Sequence, residues 1–196
     1  LARPKSYDRE EAVERACYAF WAHGYAATGV RALEQLTGLN KFAIRSEFGG
    51  KEGLYLAALK HYADAAKDTL LAPMRTGGIA TVEAFLQSLV GEDSPGASAW
   101  GCLIVNTGIE NAEIRSPALQ AAVNDYWATL AAHFAKALRH AQAQGEIKRS
   151  INIDDAVQGL VTAVMGIHTR NRVSGRHDAG MPLVRMMLQQ IRSWRV

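Results

Sequence analysis

The residues best equipped for acid–base or metal chemistry do not assemble into a motif. Glu110 and Glu113 are three apart and share a helical face, and His133 and His140 are two helical turns apart. A di-iron bundle needs Glu-x-x-His pairs projecting from two helices, and no such pair accompanies either set. The two cysteines, Cys17 and Cys102, stand far apart in no metal-ligand spacing, so neither a zinc site nor a disulfide framework is expected. No phosphate-binding glycine loop and no nucleophile elbow appears. The expectation is a chain without catalytic residues, metal or cofactor. Cys17 reads as a small core residue. Cys102 carries an alternative reading as a redox or electrophile sensor, set against the inertness usual for a buried thiol.

The remaining chemistry is that of polyanion contact, concentrated in residues 28–51. Two short apolar-periodic segments, Val30, Leu33, Leu36 and then Leu39, Ile44, Phe48, flank Thr37-Gly38. The glycine falls where a tight interhelical turn needs a positive φ, so the spacing predicts a helix-turn-helix over 29–48. Thr28 and Asn40 stand just ahead of the two helices as prospective caps. The second helix, laid in a major groove, presents its first residues to base edges while neighbours hold phosphates. Phe42, Ala43 and Arg45 are the base-edge candidates. Thr28, Arg31, Lys41, Ser46 and Lys51 are the phosphate candidates, Lys51 at a helix start that also favours an anion, and Asn40 belongs to the same set. Glu47, the one acid beside them, is expected to point back into the protein. Leu33, Leu36, Leu39, Ile44 and Phe48 are expected in the core.

These residues need a scaffold, and helical periodicity supplies one throughout. Asp8 with Glu11 has capping-box spacing, and Val13, Ala16, Cys17 and Phe20 form one buried face. A helix from Lys51 to about Leu70 follows the motif, and Pro73 with Gly77-Gly78 breaks the chain. Further helices are expected from Thr81 to Val90, from Ala99 to about Asn111, from Ser116-Pro117 to Gly145, from Asp154 to about Arg172, and from Pro182 onward. No alternation of the strand type survives. The fold class is all-α with about nine helices: a three-helix unit at 8–66, then a helical domain at 76–196. Residues 1–7, with Arg3 and Lys5, read as a flexible arm.

Composition agrees with an ordinary globular chain: 48% hydrophobic, 21% charged, net charge +3. A pI near 9.0 is only weakly basic, so a local basic face matters more than the total. No apolar run is long enough to span a bilayer and no signal-peptide pattern opens the chain, so the expected location is the cytoplasm, with no membrane partner.

Gly24-Tyr25-Ala26-Ala27-Thr28, Leu36-Thr37-Gly38-Leu39-Asn40-Lys41, Phe48 and Lys51-Glu52-Gly53-Leu54 together resemble the N-terminal domain of TetR-type (tetracycline-repressor-like) transcriptional regulators over 8–66. The resemblance implies a homodimer that binds double-stranded operator DNA through its N-terminal unit and a small-molecule effector through its C-terminal helices, with repression the default. The recognition helix departs from the common pattern: Arg45 and Ser46 replace the paired aromatics of many relatives, and Phe42 is unusual. Pocket candidates are polar or aromatic residues interrupting buried faces: Trp100, Asn106, Glu110, Tyr126, Trp127 and His168. Gly159, Ala163 and Gly166 make a smooth stripe, which with Met187, Ile191 and Trp194 is assigned to a four-helix dimer interface; an intramolecular helix crossing is the other reading. A helical small-molecule binder or enzyme without operator binding is the alternative function.

Overall fold

Four of the helices begin where a short polar side chain caps their free N–H groups. In the computed structural model, which describes residues 7–196, α1 (Arg9–His23) is capped by Asp8, whose carboxylate accepts from the Glu10 and Glu11 amides at 2.7 and 3.0 Å. Glu11 does not close the box. It pairs with Arg15 one turn on, an exposed contact of small energetic consequence. The helices α2 (Val30–Thr37), α3 (Lys41–Phe48) and α4 (Lys51–Thr69) follow, then a 3-10 turn at Ala72–Arg75 and α5 (Ile79–Ser88). The last four are α6 (Leu103–Ile114), α7 (Pro117–Ala143), α8 (Ile153–Ser174) and α9 (Met181–Trp194). Among the described residues these are nine α-helices and a single isolated bridge, Ile147 to Arg195. The arm expected at 1–7 lies, except for Tyr7, outside the described residues.

Where local chemistry decides, the expected boundaries stand. Ser116 caps α7 by accepting from the Leu119 amide, and Pro117 takes the first helical position. Helix α6 starts later than Ala99 because Gly101, at φ +69°, turns the chain first. Its Cα lies against the His168 carbonyl, where a Cβ would come 2.6 Å from the oxygen. Thr28 is not the cap of α2: Gly29 holds that position without a side-chain bond.

Two cores form. One joins α5, α7, α8 and α9 around Phe85, Phe134, Leu160 and Ile191. The other joins α1, α2, α3 and α4 to the starts of α6 and α7, with Phe20, Tyr55 and Leu33 in one cluster with Leu103, Ile104 and Leu119. The Phe20 and Tyr55 rings lie 4.5 Å apart, the kind of pair that adds about 1 kcal/mol beyond its buried area. Helix α4 thus stands in both halves of the molecule. Among the described residues, no helix is long and apolar enough to cross a membrane.

Candidate nucleic-acid interface and effector cavity

The turn between α2 and α3 is built from its own side chains. Gly38 adopts φ +73°, a left-handed conformation that costs glycine nothing. The Thr37 hydroxyl donates to the Leu33 carbonyl at 2.6 Å and accepts from the Leu39 amide at 3.2 Å. Asn40 accepts from the Ala43 amide at 2.8 Å, and Glu34 reaches across from α2 to accept from the Lys41 amide at 2.6 Å. Two orphan donors at the start of α3 are therefore satisfied within the motif. Leu33, Leu39 and Ile44 are buried behind it.

On the outward side α3 exposes Lys41, Phe42, Arg45 and Ser46, and Arg31 is exposed at the start of α2. Phe42 is 83% exposed, an unusual state for a phenyl ring in an otherwise well-packed domain. Ala43 is half-buried. Glu47 turns inward, where it accepts from the Tyr7 hydroxyl, so its charge does not oppose the basic residues. Arg9 lies over the Phe48 ring at 4.9 Å and pins the other end of α3. Tyr7, Arg9 and Glu34 are positioning residues that sequence reasoning missed. Glu34 lies seven residues before Lys41, a spacing that only an already assumed turn makes meaningful.

Two assignments on this side are corrected. Thr28 is buried at 2% exposure, and its hydroxyl donates to the Gly24 carbonyl at 2.6 Å, so it holds the α1–α2 loop and offers nothing to a phosphate. Leu36 is 46% exposed, because the buried stripe of this eight-residue helix is narrow and falls on Leu33 and Thr37. Lys51 stands at the start of α4 with its ammonium 4.2 Å from the Tyr25 ring centre. Burial lowers its pKa, partly opposed by the carboxylate of Glu110.

The α3–α4 junction is unusually close. A Cβ on Gly53 would come 2.7 Å from the Phe48 carbonyl carbon, with the carbonyl oxygen closer still. Only glycine lets the end of α3 lie on α4 in this way.

Of the six pocket candidates, Tyr126 lines a cavity of about 230 Å³ between α4, α6 and α7, floored by Leu56, Leu59, Leu71 and Ile104. Its rim carries the Lys60–Asp64 pair, at 2.5 Å, with Lys67 and Asp125. Trp127 lies on another side of α7, in a cleft shared with Val105 and Met165. Trp100 is half-exposed and meets Trp21 edge-on. Asn106 and Glu110 are occupied with structural work, and His168 is buried. Asn106 donates to the Trp100 carbonyl at 2.9 Å and so ties down the turn before α6. Glu110 accepts from the Tyr25 and Ala26 amides at 2.8 and 3.1 Å. Gly24 makes room for it, since a Cβ there would come 3.1 Å from the Glu110 carboxyl carbon. His168 is buried with Nδ1 unpartnered, and burial pushes its pKa down to about 4.

Both thiols are buried. Burial pushes Cys17 up to about 12 and raises Cys102 despite its hydrogen bond with Tyr62, so neither is a thiolate at neutral pH.

On the last two helices, Gly159 and Gly166 are exposed and Met187 is half-buried. Ala163, Ile191 and Trp194 are corrected: all are buried within one subunit. Helix α9 folds back so that the Trp194 carbonyl accepts from the Lys148 amide, and Ile191 and Trp194 close the C-terminal core. The exposed apolar side chains here are Val173 and Met186, at 74% and 58%.

A helix-turn-helix unit carried on a helical domain defines a class, and comparison with known proteins places the chain in it. Residues 78–187, more than half of the chain, match the family model for the tetracyclin repressor-like C-terminal domain. The chain belongs to the tetracycline-repressor-like family. It is 44% identical over 62 residues to the HTH-type transcriptional repressor ComR of Escherichia coli (strain K12), a match spanning 32% of this chain and 30% of that protein. A TetR transcriptional regulator from Chloroflexus aurantiacus superposes with a TM-score of 0.81 at 25% identity, covering 95% of both chains. The TetR family regulator CifR, as a cysteine mutant complexed with a 26-base-pair operator, superposes with a TM-score of 0.77 at 20% identity over 98% of this chain and all of that one.

Proposed function

We propose that the protein is a cytoplasmic, non-enzymatic transcriptional repressor that binds an inverted-repeat operator as a homodimer and leaves it when a small-molecule effector binds. The observation that carries this reading is the exposure of Lys41, Phe42, Arg45 and Ser46 on a helix whose Lys41 and Ala43 amides are capped by Glu34 and Asn40. Such a helix is a rigid reading head. Arg45 has the fork that reads guanine, Phe42 suits a thymine methyl, and Lys41 and Arg31 are placed for phosphates. The curated repressor ComR and the operator-bound CifR support the same reading.

In this reading residues 8–66 bind DNA and 76–196 bind the partner and, with α4 supplying the facing wall, the effector. The cavity between α4, α6 and α7 takes the effector, with Tyr126 on its wall. The dimer forms on the outer faces of α8 and α9, through Gly159, Gly166, Val173 and Met186. Twofold symmetry then sets two α3 helices about 34–36 Å apart, one helical turn of DNA.

The test is selection of bound fragments from a random DNA pool, followed by titration of variants on the recovered site. An inverted repeat is the expected consensus. Lys41→Ala should lower affinity for all sequences and reduce the salt slope by about 0.9 for each phosphate no longer neutralised. Arg45→Ala should cost about 1–3 kcal/mol per half-site and relax the preference at one base pair. No enrichment of any sequence, or variants that bind like wild type, removes the proposal.

A further inference from the structure

Three cavities touch helix α4: one beside the start of α1, lined by Asp8, Glu11 and Lys60, and two that lie on opposite faces of the helix. The one assigned above to the effector lies on the face of Leu56, Leu59, Lys60, Ala63 and Lys67. The second, of about 180 Å³, lies on the opposite face, lined by His61, Tyr62, Ala65, Ala66 and Thr69. At 3.6 residues per turn, Ala63 and Ala65 point to opposite sides of the helix, so the two spaces have α4 between them.

The walls of the second cavity differ in kind from those of the first. Two charged pairs of residues, Lys60 and Lys67 with Asp64 and Asp125, surround the first. Among the described residues, no lysine, arginine, aspartate or glutamate lines the second. Its floor is Cys17 and Ala66, both buried, with the rings of Trp21 and Tyr62 set edge-to-face 5.1 Å apart. Its rim is Tyr18, His61, Thr69 and Pro95, all exposed. The Trp21 ring is held by its indole N–H, which donates to the Gly101 carbonyl at 3.0 Å, and the Trp21 backbone is held by Arg172, which donates to its main-chain carbonyl at 2.9 Å. The aromatic wall is therefore preorganised and does not need to be assembled by a ligand.

We propose that this space between α1, α4 and the 91–100 loop is a second small-molecule site, which takes a small neutral aromatic compound of the phenol class. Size supports one ring: an apolar cavity of about 150 Å³ binds benzene, so about 180 Å³, open at its rim, admits a single substituted ring. Ring geometry supports an aromatic guest, because edges and faces are both offered by Trp21 and Tyr62. The absence of lining charge selects against an ion, which would be desolvated without a counter-charge. His61 and the Tyr18 hydroxyl at the rim supply the polar partner for a single hydroxyl. The site is independent of whether the protein reads an operator, since its occupancy is measured without DNA.

The probe is 4-iodophenol, titrated into the full chain by calorimetry and soaked into crystals, where iodine is located by its anomalous scattering. Wild type and Ala63→Trp, which fills the first cavity, should bind alike. Ala65→Trp, which blocks the mouth of the second, should weaken binding at least tenfold. The iodine should sit between α1 and α4, beside Trp21. If Ala65→Trp does not fold, His61→Trp blocks the same exposed rim. Binding lost in Ala63→Trp and kept in the rim variants, iodine only on the α6–α7 side, or no heat of binding up to the solubility of the probe would each overturn the proposal.

Discussion

Gly53→Ala sets two effects of opposite sign against each other, and the structure decides between them. Gly53 lies in the first turn of α4, and replacing a helical glycine by alanine ordinarily stabilises by up to about 1 kcal/mol. Here the added carbon would stand 2.7 Å from the Phe48 carbonyl carbon, where carbon atoms prefer about 3.5–4.0 Å. The obstacle is backbone, not the end of a flexible side chain, so relief requires α3 to move away from α4 by roughly an ångström. Overpacking of this kind costs about 1–3 kcal/mol, which exceeds the propensity gain. The movement is also functional, because α3 carries Phe42 and Arg45. Loss of one bidentate base interaction in each half-site of a dimer would cost about 2–6 kcal/mol of operator affinity. The expected outcome is a thermal midpoint lowered by a few degrees, with operator affinity reduced at least thirtyfold in fluorescence anisotropy. The C-terminal core should stay intact, since Phe85, Phe134 and Leu160 are remote from the junction. A variant as stable as wild type, or more so, that binds within threefold of wild type would falsify the claim that this glycine sets the α3–α4 geometry.

Two further perturbations test the links between the halves. Glu110→Ala removes the acceptor for the Tyr25 and Ala26 amides, and operator affinity should fall about tenfold as the α1–α2 loop loosens at about 1 kcal/mol per bond. Glu110→Gln keeps an oxygen for both donors and should restore most of that loss; equal behaviour of the two variants in an operator titration refutes the clamp. His168 tests burial: its folded pKa of about 4 lies below its ordinary 6.5, so between these values the unfolded chain binds more protons. Stability therefore declines as pH falls from about 6.5 to about 4, by roughly 3 kcal/mol in total. In urea unfolding, His168→Leu should lose that part of the pH dependence, and an unchanged difference between pH 7 and pH 4.5 would show the imidazole to be solvated.

The parts of the fold legible in sequence were those decided within a few residues. Asp8, Asn40 and Ser116 cap the helices they precede, and Gly38 supplies the left-handed turn. Thr28 looked like a cap for the same local reason, yet its hydroxyl found the Gly24 carbonyl and the helix began one residue later. The outward face of α3 was legible because an eight-residue helix with Ile44 buried leaves its other side to solvent. The pocket was not. Asn106 and Glu110 interrupt apolar faces because they satisfy the Trp100 carbonyl and the Tyr25 and Ala26 amides, and partners so distant in sequence leave no periodic trace. Ile191 and Trp194 misled as dimer residues for a related reason: apolar period places them on a buried side of α9, but it cannot say whether the cover is the same chain or another.

Glu110 also explains how a cavity in one half can be felt by the other without a hinge between them. Ile104 lines the α4–α6–α7 cavity and Glu110 stands six residues further along α6, roughly 9 Å at the helical rise. A helix this short moves as a rigid body, so a guest that displaces Ile104 must also displace the Glu110 carboxylate or break its bonds. Those bonds hold Tyr25 and Ala26, and Tyr25 in turn packs on Tyr55 at 5.0 Å and carries the Lys51 ammonium at the start of α4. Tyr55 returns to α6 through a 2.6 Å hydrogen bond with Thr107. The α1–α2 loop, α4 and α6 therefore form a closed polar and aromatic circuit, and α4 and α6 also line the α4–α6–α7 cavity. Within a close-packed circuit of this kind a shift of α6 is not absorbed locally, because each member is fixed by two neighbours.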